Sequence, residues 1–117
     1  MTNLRLRIVF EGAMLGPGKA DLLERIRDTG SISAAGRAME MSYKRAWMLV
    51  EEMNAAFRSP LVASSRGGRG VGGAHLTEAG LEVLRRYRSI ETAAAAATAS
   101  DVGAIETMLL PDAREAR

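Results

Sequence analysis

The chain has 117 residues, 47% hydrophobic and 26% charged, the balance of an ordinary soluble globule with room for one compact domain and an appendage but not for two full-sized domains. A net charge of +2 is too small to name a partner, so the placement of charge carries more information than its total. With no cysteine and a single histidine, His75, a disulfide framework, a thiolate metal site and a histidine cluster are excluded.

No apolar run is long enough to span a bilayer, and the first residues lack the basic-then-apolar pattern of a secretory signal. A cytoplasmic protein with no membrane partner is expected. At the N-terminus Leu4, Leu6, Ile8 and Phe10 alternate with residues that include Arg5, Arg7 and Glu11, the period-two pattern of a strand with one buried face. The run Leu15-Gly16-Pro17-Gly18-Lys19 predicts a turn, with Pro17 or Gly18 opening a helix whose apolar face holds Leu22, Leu23 and Ile26. That helix is expected to stop at Thr29-Gly30, where glycine accepts the left-handed conformation.

Ser31 or Ser33 can cap a short second helix whose small residues Ala34, Ala35, Gly36 and Ala38 permit close helix crossing. Ser42 can cap a third helix, in which Ala46, Leu49, Val50, Met53 and Phe57 recur at spacings of three and four and are expected to face the core. On that register Lys44, Met48 and Glu51 point away from the core, with Arg45 and Trp47 on the flanks. Pro60 ends the helix. Short strands over 61–64 and 74–76 are expected to bracket a glycine-rich tip, and Thr77, followed by Glu78, can cap a long fourth helix. In that helix Val83, Tyr87, Ile90, Ala94 and Ala97 repeat at alternating spacings of four and three, the seam of a helix that pairs with another helix. The alanine run over 93–97 is strongly helical. Gly103 is expected to interrupt, leaving Ile105, Met108 and Leu109 for a last turn before Pro111 and a frayed, charged tail.

This order predicts an α+β, mainly α fold: a winged helix-turn-helix with an N-terminal strand, a two-stranded wing and a long C-terminal dimerisation helix. Residues 1–99 would form the winged helix-turn-helix domain including the fourth helix, and 100–117 a short appendage. Between Arg37 and Arg69 the cations Arg37, Lys44, Arg45, Arg58, Arg66 and Arg69 outnumber the carboxylates Glu40, Glu51 and Glu52. The excess lies in the helix pair and the glycine-rich loop. The first turn of the third helix combines Ser42, Tyr43, Lys44 and Arg45 where backbone amides already favour phosphate; the hydroxyls suit phosphate, and the cations suit phosphate or the guanine edge. Trp47, on the flank, is expected to support the core edge or the wing rather than read a base.

The stretch Gly68-Arg69-Gly70-Val71-Gly72-Gly73 formally contains G-x-G-x-x-G, but 74–76 follows where a dinucleotide fold needs a helix, and no later strand is visible. Glycines that let a hairpin tip lie on a sugar-phosphate rail, with Arg66 and Arg69 neutralising phosphates, account for it better. Asp21, Glu24 and Asp28 form a solvated helix face rather than a catalytic pair, and nothing supplies a histidine base for Ser64 or Ser65, so an enzyme is not expected.

The runs Gly30-Ser31-Ile32-Ser33-Ala34-Ala35, Met41-Ser42-Tyr43-Lys44-Arg45-Ala46-Trp47, Glu52-Met53-Asn54, and Gly67-Gly68 through Gly72-Gly73-Ala74-His75-Leu76-Thr77-Glu78-Ala79-Gly80 resemble the N-terminal domain of ModE-type molybdate-responsive regulators and, more distantly, the LysR-type DNA-binding domain. The resemblance extends from residue 4 to about residue 99. It implies a homodimeric transcriptional regulator whose third helix enters the major groove of a palindromic operator in double-stranded DNA. Ser33, Ser42, Tyr43, Lys44, Arg45, Trp47, Met48, Arg66, Gly68 and Arg69 are the implied DNA-binding residues. In the family the first strand, first helix and long fourth helix build the dimer, which implies Leu6 and Ile8 beside Val83, Tyr87, Ile90, Ala94 and Ala97. Molybdate-sensing members carry C-terminal β-barrel domains, for which this chain leaves no room after Arg117; no cofactor is expected. Its signal would come from another protein, unless it represses constitutively or is a fragment. The alternative is a protein-interaction or dimerisation module that keeps the winged-helix shape without reading DNA.

Overall fold

The computed structural model describes residues 2–66 and 72–111. Eight elements follow in order: β1 (Ile8–Phe10), β2 (Ala13–Leu15), α1 (Pro17–Thr29), α2 (Ile32–Ala38), α3 (Tyr43–Ala56), β3 (Val62–Arg66), β4 (Gly72–Leu76) and α4 (Glu78–Glu106). The two strand pairs form separate antiparallel sheets.

The expected N-terminal strand is instead the first arm of a hairpin. Ile8 pairs with Leu15 and Phe10 with Ala13, around Gly12 at φ +88°, a backbone conformation that glycine adopts without a steric cost. Leu15, expected in a turn, is therefore a strand residue, and Gly16 is the N-cap of α1 with Pro17 in its first position. The period-two pattern buries little, because a three-residue hairpin has no second sheet over its face. Leu4 and Phe10 stay 39% and 47% exposed, while Leu15 is buried.

Leu22, Leu23 and Ile26 of α1 form the centre of the core. Gly30, at φ 72°, closes the helix by donating its N–H to the Ile26 carbonyl. Ser31, not Ser33, caps α2 by accepting the Ala34 N–H at 3.0 Å. The small residues of α2 permit the predicted approach: a Cβ on Gly36 would meet the Ala46 Cβ of α3 at 3.0 Å. Glu40, at φ 58°, turns the chain, and Ser42 caps α3 by accepting the Arg45 N–H at 3.1 Å. Ala46, Val50 and Met53 enter the core as predicted, with Leu49 and Phe57 half-buried against it.

Gly80 of α4 sits so close to the root of β3 that an added Cβ would lie 2.1 Å from the Leu61 carbonyl oxygen. Two expectations for α4 are overturned. Tyr87 is buried within its own chain, 1% exposed, with its hydroxyl donating to the Leu6 carbonyl at 2.6 Å, so it is not part of an external seam. Gly103 does not interrupt the helix, which continues to Glu106; one glycine costs about 1 kcal/mol in a helix interior, which the long alanine run before it can carry. Ile105 is thus helical, while Met108 and Leu109 lie in turns past its end. Arg88 joins α4 to α1 through Asp21 and Glu24, each at 2.8 Å, and also holds Glu91. Partial burial works against its charge, but the hydrogen bonds it donates to Asp21, Glu91 and Glu24 outweigh that and raise its pKa.

Candidate nucleic-acid interface

The apolar stripe of α3 decides which residues are left to face outward. With Ala46, Val50 and Met53 buried, the helical angular step of about 100° per residue turns Lys44 and Met48 to the opposite side. Tyr43 and Met48 are 58% and 47% exposed, and Ser42, Lys44 and Arg45 are exposed as well. Trp47 is half-buried against the core and meets the Tyr43 ring edge-on, with centroids 6.1 Å apart. Its place against the core is the core-edge one expected of it, and the Tyr43 contact at the rim is an addition that the sequence did not suggest.

Lys19, Arg27, Arg85, Arg86 and Arg88 are all held by carboxylates. Lys44 and Arg45 belong, with Arg5, Arg7, Arg25, Arg37 and Arg58, to the exposed cations that no carboxylate holds among the described residues, and their place on the capped end of α3 sets them apart. An unneutralised cationic helix end with a Ser cap is suited to an anionic partner. Ser33 lies half-buried in the first turn of α2, its hydroxyl accepting from Arg37 at 3.2 Å. Arg37 therefore joins the same surface region. The sequence counted it in the local charge excess without assigning it to a site.

Beside α3 stands the hairpin of β3 and β4, in register from Val62 opposite Leu76 to Arg66 opposite Gly72. Its far strand is pinned to the α1–α2 junction, where the Ala74 N–H donates to the Gly30 carbonyl at 2.9 Å. A Cβ at Gly73 would fall 3.0 Å from the Gly30 oxygen, closer than ordinary van der Waals contact. A cleft of about 420 Å³ separates hairpin and helix, lined by Ser31, Ser33, Tyr43, Trp47, Ser64 and Ser65 among others. Ser65 is hydrogen-bonded to His75 Nδ1 at 2.7 Å, a pairing across the hairpin that linear spacing did not reveal. Gly68 and Arg69 lie outside the described residues, and Arg66 enters through its backbone pairing alone. Asn54, whose only sequence signal was its place in the Glu52-Met53-Asn54 run, links α3 to the hairpin root by three hydrogen bonds.

The residues expected at a dimer contact divide. Leu6, Ile8, Val83 and Ala94 are half-buried, Tyr87 is interior, and Ile90 and Ala97 are exposed. Among the described residues no group of acidic, histidine or cysteine side chains is arranged to hold a metal, and no helix is long and apolar enough to cross a membrane.

Residues 19–81 match the family model described as "bacterial regulatory helix-turn-helix protein, lysR family". The molybdenum-pterin-binding protein MopB of Rhodobacter capsulatus is 44% identical over 84 residues, which is 72% of this chain and 31% of MopB. The molybdenum transport protein ModE of Azotobacter vinelandii is 39% identical over 80 residues, 68% of this chain and 30% of that protein. The chain thus spans under a third of the length of these relatives. Among solved structures, a CbnR DBD–DNA complex superposes with a TM-score of 0.56 at 22% identity, covering 74% of this chain and 95% of that one; at that identity the likeness is one of fold.

Proposed function

The chain belongs to the LysR-type family of bacterial regulatory helix-turn-helix proteins, and from that premise we propose that it is a ModE-type transcriptional regulator that binds a palindromic operator as a homodimer. The observation that carries this is the Ser42-capped end of α3, where Lys44 and Arg45 are exposed and without an ion-pair partner among the described residues, with a glycine-tipped hairpin alongside. An α-helix fits the major groove and presents its first turn to base edges, while a flanking hairpin follows the backbone.

In this assignment Ser42 and Tyr43 bind phosphate and Arg45 reads a base edge. Lys44 contributes either to phosphate or to guanine. Trp47 and Met48 complete the α3 surface, and Ser33 meets the backbone from α2. Arg66, Gly68 and Arg69 bring the wing to the sugar-phosphate rail. DNA reading belongs to residues 1–99, and 100–117 are a short C-terminal appendage, of which 100–106 are the last turns of α4. Dimerisation uses the outer surface of α4 at Ile90, Ala94 and Ala97, bordered by Val83, with Leu6 and Ile8 contributing from the N-terminal segment. Tyr87 acts only indirectly, by tying Leu6 to that helix. A second protein supplies the signal to which the dimer responds.

Selecting bound fragments from random duplex DNA with the purified chain tests the proposal. Two inverted half-sites with centres about 34–36 Å apart, one helical turn, are expected. Retained DNA with no enriched motif would overturn sequence-specific reading, and a single unpaired half-site would overturn the dimer.

A further inference from the structure

We propose that Asn54 is a positioning residue that sets the wing against the recognition helix, so that the two engage one DNA duplex together. The proposal rests on the DNA-reading function above. Asn54 lies in the last turn of α3, more than two helical turns from the exposed Lys44 and Arg45. Its side-chain oxygen accepts the backbone N–H groups of Leu61 at 2.8 Å and Val62 at 3.1 Å, and its NH₂ donates to the Val62 carbonyl at 3.0 Å. One carboxamide thus makes three hydrogen bonds to the two residues at which the chain enters β3.

This entry is the only covalent route from α3 into the hairpin, and it carries Pro60, which has no N–H of its own to contribute. On its other side α4 holds it: the Thr77 hydroxyl donates to the Pro60 carbonyl at 2.6 Å, the Thr77 N–H donates to the Leu61 carbonyl at 2.9 Å, and Gly80 leaves space for the same carbonyl. Those contacts fix the hairpin root to α4. Among the described residues Asn54 alone fixes it to α3 by side-chain hydrogen bonds, so it defines the angle between base-reading helix and wing. Lengthening, shortening or ionising the carboxamide disturbs that angle while leaving the capped end of α3 in place.

The experiment measures affinity for an operator selected as above across a salt series, for Asn54→Ala, Asn54→Asp and an α1 core control, Ile26→Val. Counterion release makes the salt slope report phosphate contacts, at about 0.9 unit each. Asn54→Ala is expected to lose at least one such contact from the slope while keeping the selected base preference; Ile26→Val keeps both. Asn54→Asp retains the acceptor for the two N–H groups and lacks the donor, so it keeps the fold if the alanine variant does not, and its slope is expected to fall as well. An unchanged slope in a folded Asn54 variant overturns the clasp while leaving the DNA-reading function intact. Absence of salt-dependent DNA binding by the unaltered chain overturns both.

Discussion

Tyr87 shows how one side chain can be reassigned by its surroundings. Its spacing placed it in a helix-pairing seam, yet its hydroxyl ends on the Leu6 carbonyl inside the monomer. Burial, and after it the neighbouring Glu91 carboxylate, raises its pKa above the ordinary tyrosine value of about 10. A raised folded-state value means that the neutral phenol stabilises the native chain fully below that ordinary value, and that this stability is lost as pH rises through the folded value. Titration by phenolate absorbance should therefore show Tyr87 ionising late, together with unfolding. Tyr87→Phe should remove the late step and cost about 1 kcal/mol for the lost hydrogen bond; a late step that persists in Tyr87→Phe would contradict the assignment. At the exposed end of α3, Arg45→Ala should cost about 1 to 3 kcal/mol and relax preference at one operator position. Equal weakening on operator and random DNA would remove Arg45 from base reading.

Helices and hairpins are fitted to each other here by residues that lack side chains as much as by those that have them. Gly80 and Gly103 lie on the same helix and make opposite predictions. A methyl group at Gly80 meets a backbone carbonyl oxygen at 2.1 Å, which cannot yield without shifting the wing root, whereas at Gly103 nothing lies within 4 Å. Gly103→Ala should stabilise α4 by about 0.5–1 kcal/mol from helix propensity, and Gly80→Ala should destabilise the fold despite the same propensity gain. Thermal unfolding of the two variants decides it; a stabilising Gly80→Ala would mean that α4 does not rest directly on the Leu61 backbone.

The molecule as a whole is elongated, 56 × 29 × 22 Å, because the second half of α4 extends beyond the core. Ile90, just before the midpoint of α4, is 42% exposed, and farther along the helix Ile105 is 62% exposed. Apolar surface of this kind on a long helix is what a second copy would cover, at roughly 25 cal/mol per Å² buried. Ile90→Glu keeps a good helix former and places a charge in the proposed contact. Sedimentation should then show a shift from dimer toward monomer, with operator affinity falling because the half-sites are bound independently. An unchanged dimer would place the contact elsewhere.

Local chemistry was legible without coordinates wherever a few neighbouring residues settle the outcome: the Gly30 stop, the Ser42 and Thr77 caps, and the apolar stripe of α3 that turns Lys44 and Arg45 outward. Helical periodicity and capping depend on residues three and four apart, so the sequence contains them. The N-terminal hairpin is local, Phe10 pairing with Ala13, but its period-two pattern does not show where the strand turns back. The interior place of Tyr87, the Ser65–His75 pair and the three-bond grip of Asn54 depend on residues brought together from different elements. Spacing along a chain states which side chains share a helix face, but only packing decides whether that face meets solvent, another molecule or a carbonyl 81 residues away.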